Sequence, residues 1–151
     1  MNISMDSGTL SIEFVAAQDA VDITPQVTLL EGEPTTASVE ISANNDVLLS
    51  NNRPLFSFNN QATRVHYQVR VPATEDLSVS LRAGSVFLLA DNVQEHFAEL
   101  DCSVTCGGIS NRLGFQHDTR RFITGQSAKM LGKSAINRLN VKVKTGSITL
   151  T

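Results

Sequence analysis

A glycine-centred pattern of alternating apolar residues most constrains how this chain can fold. It is clearest in DLSVSLRAGSVFLL (76–89) and RLNVKVKTGSITLT (138–151), and ELDCSVTCGGIS (99–110) follows the same frame. Every second residue before the glycine is small or apolar, and the alternation resumes after it. Such alternation is typical of a strand with one buried face, and glycine permits the positive φ of a sharp turn. The pattern therefore predicts units of strand, glycine turn and strand.

Two further segments extend the repeat. NISMDSGTLSIEF (2–14) fits the same frame, whereas ASVEISANNDVLLS (37–50) is a looser copy in which Asn44-Asn45 replaces the glycine and one extra residue follows, as in a bulge. One unit cannot bury its apolar face alone, so the copies are expected to stack, with Leu81, Val104 and Val143 in one interior column. The predicted turn glycines are Gly8, Gly84, Gly107 and Gly146.

These units predict an all-β chain, either a single-stranded β-solenoid or a tightly coiled multi-strand β-sheet stack. A length of 151 residues fits one β-rich domain over residues 1–151. TRVHYQVRVP (63–72) predicts another strand, which Pro72 ends. Residues 114–137 interrupt the pattern, as a short helical insertion capped by Ser127 or as a hairpin insertion.

The frame L-x-V-x-V/L-x-x-G-x-I/V, preceded by a strand that ends in V-x-V-P, resembles the bacterial putative adhesin family. The likeness covers VRVPATEDLSVSLRAGSVFLLAD (69–91) best and then LNVKVKTGSITLT (139–151). It implies a glycine-turn β-solenoid domain of unknown function, in a family without shared catalytic residues. The chain departs from the family's pattern in the insertion at 114–137 and at Asn44-Asn45.

The charge of the chain is divided unevenly along its length. The formal net charge is −3, which argues against a generic nucleic-acid binder. Residues 1–111 hold four basic and fourteen acidic residues, whereas residues 112–151 hold eight basic residues and one acidic residue. The two regions could neutralise each other within the fold, or the basic one could bind a polyanion. The basic residues are Arg112, Arg120, Arg121, Lys129, Lys133, Arg138, Lys142 and Lys144.

No pattern of nucleophile, base or metal ligand accompanies these features. Cys102 and Cys106 would lie roughly 13 Å apart in a strand, beyond the reach of a disulfide, so we expect two buried thiols. His66, His96 and His117 are expected at the surface. His117 and Asp118 cannot act together, because adjacent strand residues point to opposite faces. We therefore predict a protein that is not an enzyme and uses no cofactor or metal.

Paired carboxylates leave a carbohydrate-active enzyme as a less favoured alternative, since glycosidases use two carboxylates at a set separation. The candidate pairs are Glu75 with Asp76, Glu31 with Glu33, and Asp19 with Asp22.

The leading hypothesis for function is a structural or adhesin-like scaffold. Strand patterns reach almost to both ends of the chain, and an uncovered strand edge exposes unpaired N–H and C=O groups. We expect the terminal strands to mediate a homo-oligomer or to dock a structural protein partner.

The alternative is a binding module for an anionic glycan, a lipid or an acidic protein, through the basic surface at 112–144. Lys142 and Lys144 alternate with Val141 and Val143, and so form a ridge on one face of the last strand. That ridge has no aromatic residue for base stacking, which makes nucleic acid an unfavoured partner. Lysines that protect an edge strand from pairing would explain the ridge equally well.

The sequence shows neither a signal-peptide pattern nor an apolar run of the ~18 residues that a membrane span needs. We expect a soluble chain whose compartment the residues do not determine.

Overall fold

A computed structural model of the chain describes residues 1–15, 22–28, 37–44, 46–51, 64–72, 76–89, 96–112, 117–121, 123–133 and 137–151. Ten β-strands lie in these ranges. They are β1 (Asn2–Val15), β2 (Asp22–Thr28), β3 (Ala37–Ile41), β4 (Val47–Asn51), β5 (Arg64–Pro72), β6 (Leu77–Leu89), β7 (Glu99–Asn111), β8 (His117–Arg121), β9 (Gln126–Leu131) and β10 (Arg138–Leu150). The prediction of an all-β chain is confirmed for the part that the structure describes.

The strands form one mixed sheet with a parallel centre. Its order is β2-β5-β1-β6-β10-β7-β9-β8, and β4 adds to β1 beside β5 while β3 pairs with β4. The pairs of β1 with β6, β6 with β10 and β10 with β7 are all parallel. The solenoid prediction is not confirmed, because a single-stranded solenoid stacks its strands in chain order and here β10 lies between β6 and β7.

The four turn glycines lie side by side in the centre of this sheet. Gly8 is opposite Gly84, Gly84 is opposite Gly146, and Gly146 is opposite Gly107. All four have φ between 127° and 139°, a conformation that L side chains rarely adopt. A Cβ on Gly84 would overlap the carbonyl oxygen of Gly8. In the same way, a Cβ on Gly146 would overlap the carbonyl oxygen of Gly84, and a Cβ on Gly107 that of Gly146. The column therefore accepts only glycine.

The glycine column divides each long strand into two arms that bury side chains on the same side of the sheet. We call the residues before each glycine the first arm and those after it the second arm. In β1 the buried residues before the glycine are Ile3 and Met5, at odd positions, and those after it are Leu10 and Ile12, at even positions. Ordinary alternation would have turned that second set outward, so the positive φ at the glycine restores the inward orientation.

The inward faces of the two arms pack against each other. Tyr67, which extends the second-arm side in β5, is fully buried and donates a hydrogen bond of 2.6 Å to the carbonyl oxygen of Ser50 in β4, on the first-arm side. Phe14 meets Phe97 edge to face, with ring centroids 5.0 Å apart. The core thus lies inside the bend of the sheet, and the predicted column holds, since Val143 is opposite both Leu81 and Val104.

Two segments fold differently from the looser sequence predictions. Residues 37–50 are not a bent copy of the repeat but an antiparallel hairpin of β3 and β4, whose turn is closed by a 2.8 Å hydrogen bond from the Ser42 N–H to the Asp46 carbonyl. Within 114–137, β8 and β9 form a hairpin, so the helical alternative is wrong. Ser127 lies in β9 opposite Ser103 instead of capping a helix.

The cysteine prediction is half correct. Both Cys102 and Cys106 are free thiols, but only Cys102 is buried. Burial raises the pKa of the Cys102 thiol to about 12, and the neighbouring Asp101 carboxylate contributes in the same direction. Cys106 is exposed because the chain bends at the next residue, Gly107, and the inward alternation is interrupted there.

The terminal strands do not lie at sheet edges. β1 pairs with β6 on one side and with β4 and β5 on the other, and β10 pairs with β6 and β7. The terminal strands therefore offer no free edge for association, and edge protection is wrong as the role of Lys142 and Lys144. Self-association itself stays a prediction. The crossovers of a parallel sheet allow a late strand to enter its centre, which alternation along the chain does not reveal.

Candidate ligand-binding face

The outward side of the first arms is a polar surface that crosses most of the sheet. Alternation places every second residue of these arms outward, and the parallel register aligns those residues across the strands. We call one such alignment the transverse row. It consists of Glu40, Leu48, Ser4, Ser80, Lys142, Ser103 and Ser127, on β3, β4, β1, β6, β10, β7 and β9.

Three basic side chains meet beside the centre of this row. Arg82, Lys142 and Lys144, which we call the cation cluster, are all exposed and line one groove of about 380 Å³. The rest of the groove is lined equally by small hydroxyl residues and by apolar residues, and Asp6 is its one carboxylate among the described residues. No ion pair identified in the described ranges involves a member of the cluster. The groove is therefore electropositive and open to solvent.

A second groove continues the first toward the β3–β4 hairpin. Its volume is about 640 Å³, and it shares Ser4, Ser80 and Leu48 with the first. Leu48 is 43% exposed and is the one apolar member of the transverse row, and the carboxylates of Glu40 and Asp46 line this groove beside it.

The β3–β4 hairpin is fixed to the central sheet at this groove. The Asp46 carboxylate accepts hydrogen bonds from the Asn2 backbone N–H (3.1 Å) and from its side-chain amide (2.9 Å). The wall of the second groove is therefore attached to β1 by a side chain as well as by the strand pairing.

The other predicted basic residues do not join the cation cluster. Lys129 and Arg138 both pair with Glu99, and the hydrogen bond from Lys129 holds the pKa of that carboxyl below its ordinary value. This is neutralisation between the basic and acidic regions, the simpler of the two explanations for the charge split.

The remaining basic residues lie apart from both grooves or outside the described side chains. Arg112 and Lys133 are exposed and line neither groove. Arg120 and Arg121 lie on β8, whose side chains are outside the described part of the structure.

Arg82 is the member of the cluster that the sequence prediction missed, although a signal for it was present. Arg82 and Lys144 each stand two residues before a column glycine, Gly84 and Gly146. Once those glycines are aligned, the two basic residues must occupy equivalent outward positions on neighbouring strands, β6 and β10. Arg82 lies outside the basic segment 112–144, so only the shared frame of the repeat, and not the local charge, indicates its place in the cluster.

His66 is more constrained than a solvated histidine. Its Nε2 lies 2.7 Å from the Ser11 hydroxyl oxygen, and Ser11 is only 6% exposed. A nucleophile and its base have this geometry, but a hydroxyl so well covered cannot reach a substrate carbonyl. The contact satisfies the hydrogen-bonding need of a buried hydroxyl group on the second arm.

Each of the carboxylate pairs of the alternative enzyme hypothesis has at least one member outside the described residues, so that hypothesis stays a prediction. Glu75, Glu31, Glu33 and Asp19 lie outside the described residues. The Asp76 side chain accepts a 2.7 Å hydrogen bond from the Arg138 backbone N–H, which joins two strands. Within the described ranges no group of three or more histidine, cysteine, aspartate or glutamate residues could hold a metal ion. Those ranges also contain no helix long and apolar enough to span a membrane.

The sequence matches no protein-family model and no curated protein. Among solved structures, the chain is similar to one from Clostridium sporogenes ATCC 15579, described as a putative cell adhesion protein. That match covers 99% of this chain and 90% of the other, with 11% sequence identity and a TM-score of 0.35. Membership of the family that the sequence resembles therefore stays a prediction.

Proposed function

We propose that this protein is a non-enzymatic, adhesin-like binding scaffold that holds a polyanionic ligand on the outward side of its first arms. The observation that carries the proposal is the cation cluster: Arg82, Lys142 and Lys144 line one open groove whose described lining includes a single carboxylate. Two of these residues lie on β10 and one on the adjacent β6, so the sheet itself sets their positions.

A rigid support makes such a cluster effective. An exposed cation in an ion pair contributes little by itself, typically about 0–1 kcal/mol, and salt screens it. Several cations on one paired sheet lose little backbone freedom on binding, so their contributions accumulate. The guanidinium of Arg82 can also donate two parallel hydrogen bonds to a carboxylate or sulfate group.

Charge removal tests this proposal directly. The triple variant Arg82→Gln, Lys142→Gln and Lys144→Gln should bind heparin, a sulfated glycan used here as the polyanion probe, at least about tenfold more weakly at low salt. Binding by the unchanged protein should weaken as salt rises. The measurement is isothermal titration calorimetry on protein shown by light scattering to be dispersed.

The matched control removes three positive charges elsewhere. Arg70, Arg112 and Lys133 line neither groove, so changing all three to Gln alters the net charge equally and should preserve most of the binding. Equal losses in the two triple variants would mean that net charge matters and the cluster does not, and the proposal would fail.

Self-association is a second proposal, favoured by the charges of the outer strands. β3 and β8 each have one paired neighbour among the described strands, on opposite sides of the sheet. β3 carries Glu40, and β8 carries Arg120 and Arg121. Head-to-tail contact between such strands would give rings or filaments. Light scattering should detect a mass that rises at low salt, and a monomer at every salt concentration would contradict the proposal.

A further inference from the structure

The two grooves form one continuous path that runs across the strands. Ser4, Ser80 and Leu48 line both grooves, and the transverse row passes through them. From Leu48 on β4 to Ser103 on β7 the row crosses β1, β6 and β10. Four strand spacings of ~4.8 Å make this path about 19 Å long. A ligand that fills it must be extended and must lie perpendicular to the strands.

The chemistry along the path changes in one direction. At one end are the cations Lys142 and Arg82; in the middle the Ser4 and Ser80 hydroxyl oxygens lie 3.3 Å apart; at the other end is the exposed apolar side chain of Leu48. The carboxylates of Glu40 and Asp46 also line the second groove, so the acidic groups of a ligand belong at the cationic end. Acidic groups fit the first part, hydroxyl groups the second and C–H surfaces the third. A chain of acidic sugar rings carries all three kinds of surface on every repeat.

The backbone beneath the path argues against an extended peptide. Peptides that bind sheets in an extended form hydrogen-bond to the free edge of a strand. Here each of the strands β4, β1, β6, β10 and β7 pairs with neighbours on both sides within the first arm. The polar groups of a peptide main chain would find only side chains on this face. Sugar hydroxyls are usually bound by side chains, so the path suits them better.

We propose that the ligand of this face is an extended acidic polysaccharide, with several sugar residues crossing the strands from the cation cluster to the β3–β4 hairpin. This rests on the proposed function, because the cation cluster supplies the attraction. Acidic groups bind Arg82, Lys142 and Lys144, hydroxyls meet the serines of the transverse row, and the last ring packs on Leu48.

The length of the ligand tests the proposal. Oligogalacturonates of increasing length should bind with rising affinity until the chain spans the path, at about four sugar residues, and the affinity per molecule should then level off. Poly-glutamate of matched charge should bind at least about tenfold more weakly. Isothermal titration calorimetry measures all of these affinities.

A substitution at the apolar end of the path tests whether the ligand extends to Leu48. Leu48→Ser should lower affinity about fivefold for the longest oligomer and leave that for the disaccharide unchanged. The matched control is Leu131→Ser, because Leu131 is 79% exposed on β9 and lines neither groove. It should have no effect on either affinity.

The outcomes separate the two proposals. Affinity that does not depend on length, equal binding of poly-glutamate, or equal effects of the two leucine variants would overturn the polysaccharide assignment and leave the cation cluster standing. Failure of every anionic probe, heparin included, would overturn the proposed function as well.

Discussion

The four long central strands and the two antiparallel hairpins form one sheet by different means. In β1, β6, β10 and β7 the glycine column fixes the register, and the inward side chains of the first arms are buried. The β3–β4 and β8–β9 hairpins instead join the outer sides of that stack and expose large apolar residues such as Ile41 and Leu131. The centre is therefore specified at many positions at once, whereas each hairpin depends on fewer contacts.

This contrast also divides the binding face. The cation cluster lies on the central strands β6 and β10, where the backbone is paired on both sides. The apolar end of the path is Leu48 on β4, where the β3–β4 hairpin attaches through a short pairing with β1 and the hydrogen bonds of Asp46. In the proposed complex the acidic groups would contact the most constrained strands, and the rest of the ligand would contact a less constrained hairpin.

The largest expected effect is a change within the glycine column. Gly84→Ala would place a Cβ against the Gly8 carbonyl oxygen at a residue with φ of 135°, so β1 and β6 would have to separate. We expect little or no soluble folded protein, measured by yield and by thermal unfolding followed with circular dichroism.

The matched control is a glycine outside the column. At Gly108 a Cβ would lie 3.7 Å from the Gln126 Oε1 atom, an ordinary contact, so Gly108→Ala should change the free energy of unfolding by less than about 0.5 kcal/mol. Similar damage from both substitutions would show that the column is not what distinguishes the central strands.

The next effect compares leucines of the two regions. Leu81, on β6, is 3% exposed, and Leu81→Ala should lower the free energy of unfolding by about 2–5 kcal/mol because it leaves a cavity in the core. Leu131 on β9 is 79% exposed, so Leu131→Ala should cost less than about 0.5 kcal/mol. Urea denaturation gives both values, and comparable losses would contradict the division between centre and hairpin.

The smallest effect concerns the ion pairs of Glu99 with Lys129 on β9 and Arg138 on β10. The pKa of the Glu99 carboxyl is lowered in the folded protein, chiefly by the hydrogen bond from Lys129. The ionised carboxylate therefore stabilises the fold at a pH above its unfolded-state pKa, and this stabilisation is lost as the pH falls through the folded-state pKa. Glu99→Gln should lower the unfolding temperature slightly at neutral pH and reduce the loss of stability on acidification.

The control for Glu99 is Glu40, an exposed glutamate of β3 with no ion pair identified among the described residues. Glu40→Gln should leave both the unfolding temperature and its pH dependence nearly unchanged. If Glu99→Gln kept the full acid dependence of the unchanged protein, the ion pairs would not be what couples the hairpin to the centre.

The local behaviour of each long strand follows from its amino-acid sequence alone. Alternation around Gly8, Gly84, Gly107 and Gly146 is enough to say which residues face inward, and residues that share a place in the frame share a register in the sheet. This works because side-chain direction follows from backbone geometry between near neighbours. The same frame contained the position of Arg82 opposite the basic strand.

Only the tertiary structure decided which strands are neighbours. The copies of the repeat are so alike that local pattern does not distinguish β6-β7-β10 from the observed β6-β10-β7, and the choice rests on contacts between distant parts of the chain. The same holds for the β3–β4 hairpin, the exposure of Cys106 and the meeting of Arg82 with Lys142 and Lys144. Alternation with a period of two shows which side chains of a strand face inward. It does not show which strand lies beside it, because that depends on the free energy of the whole sheet.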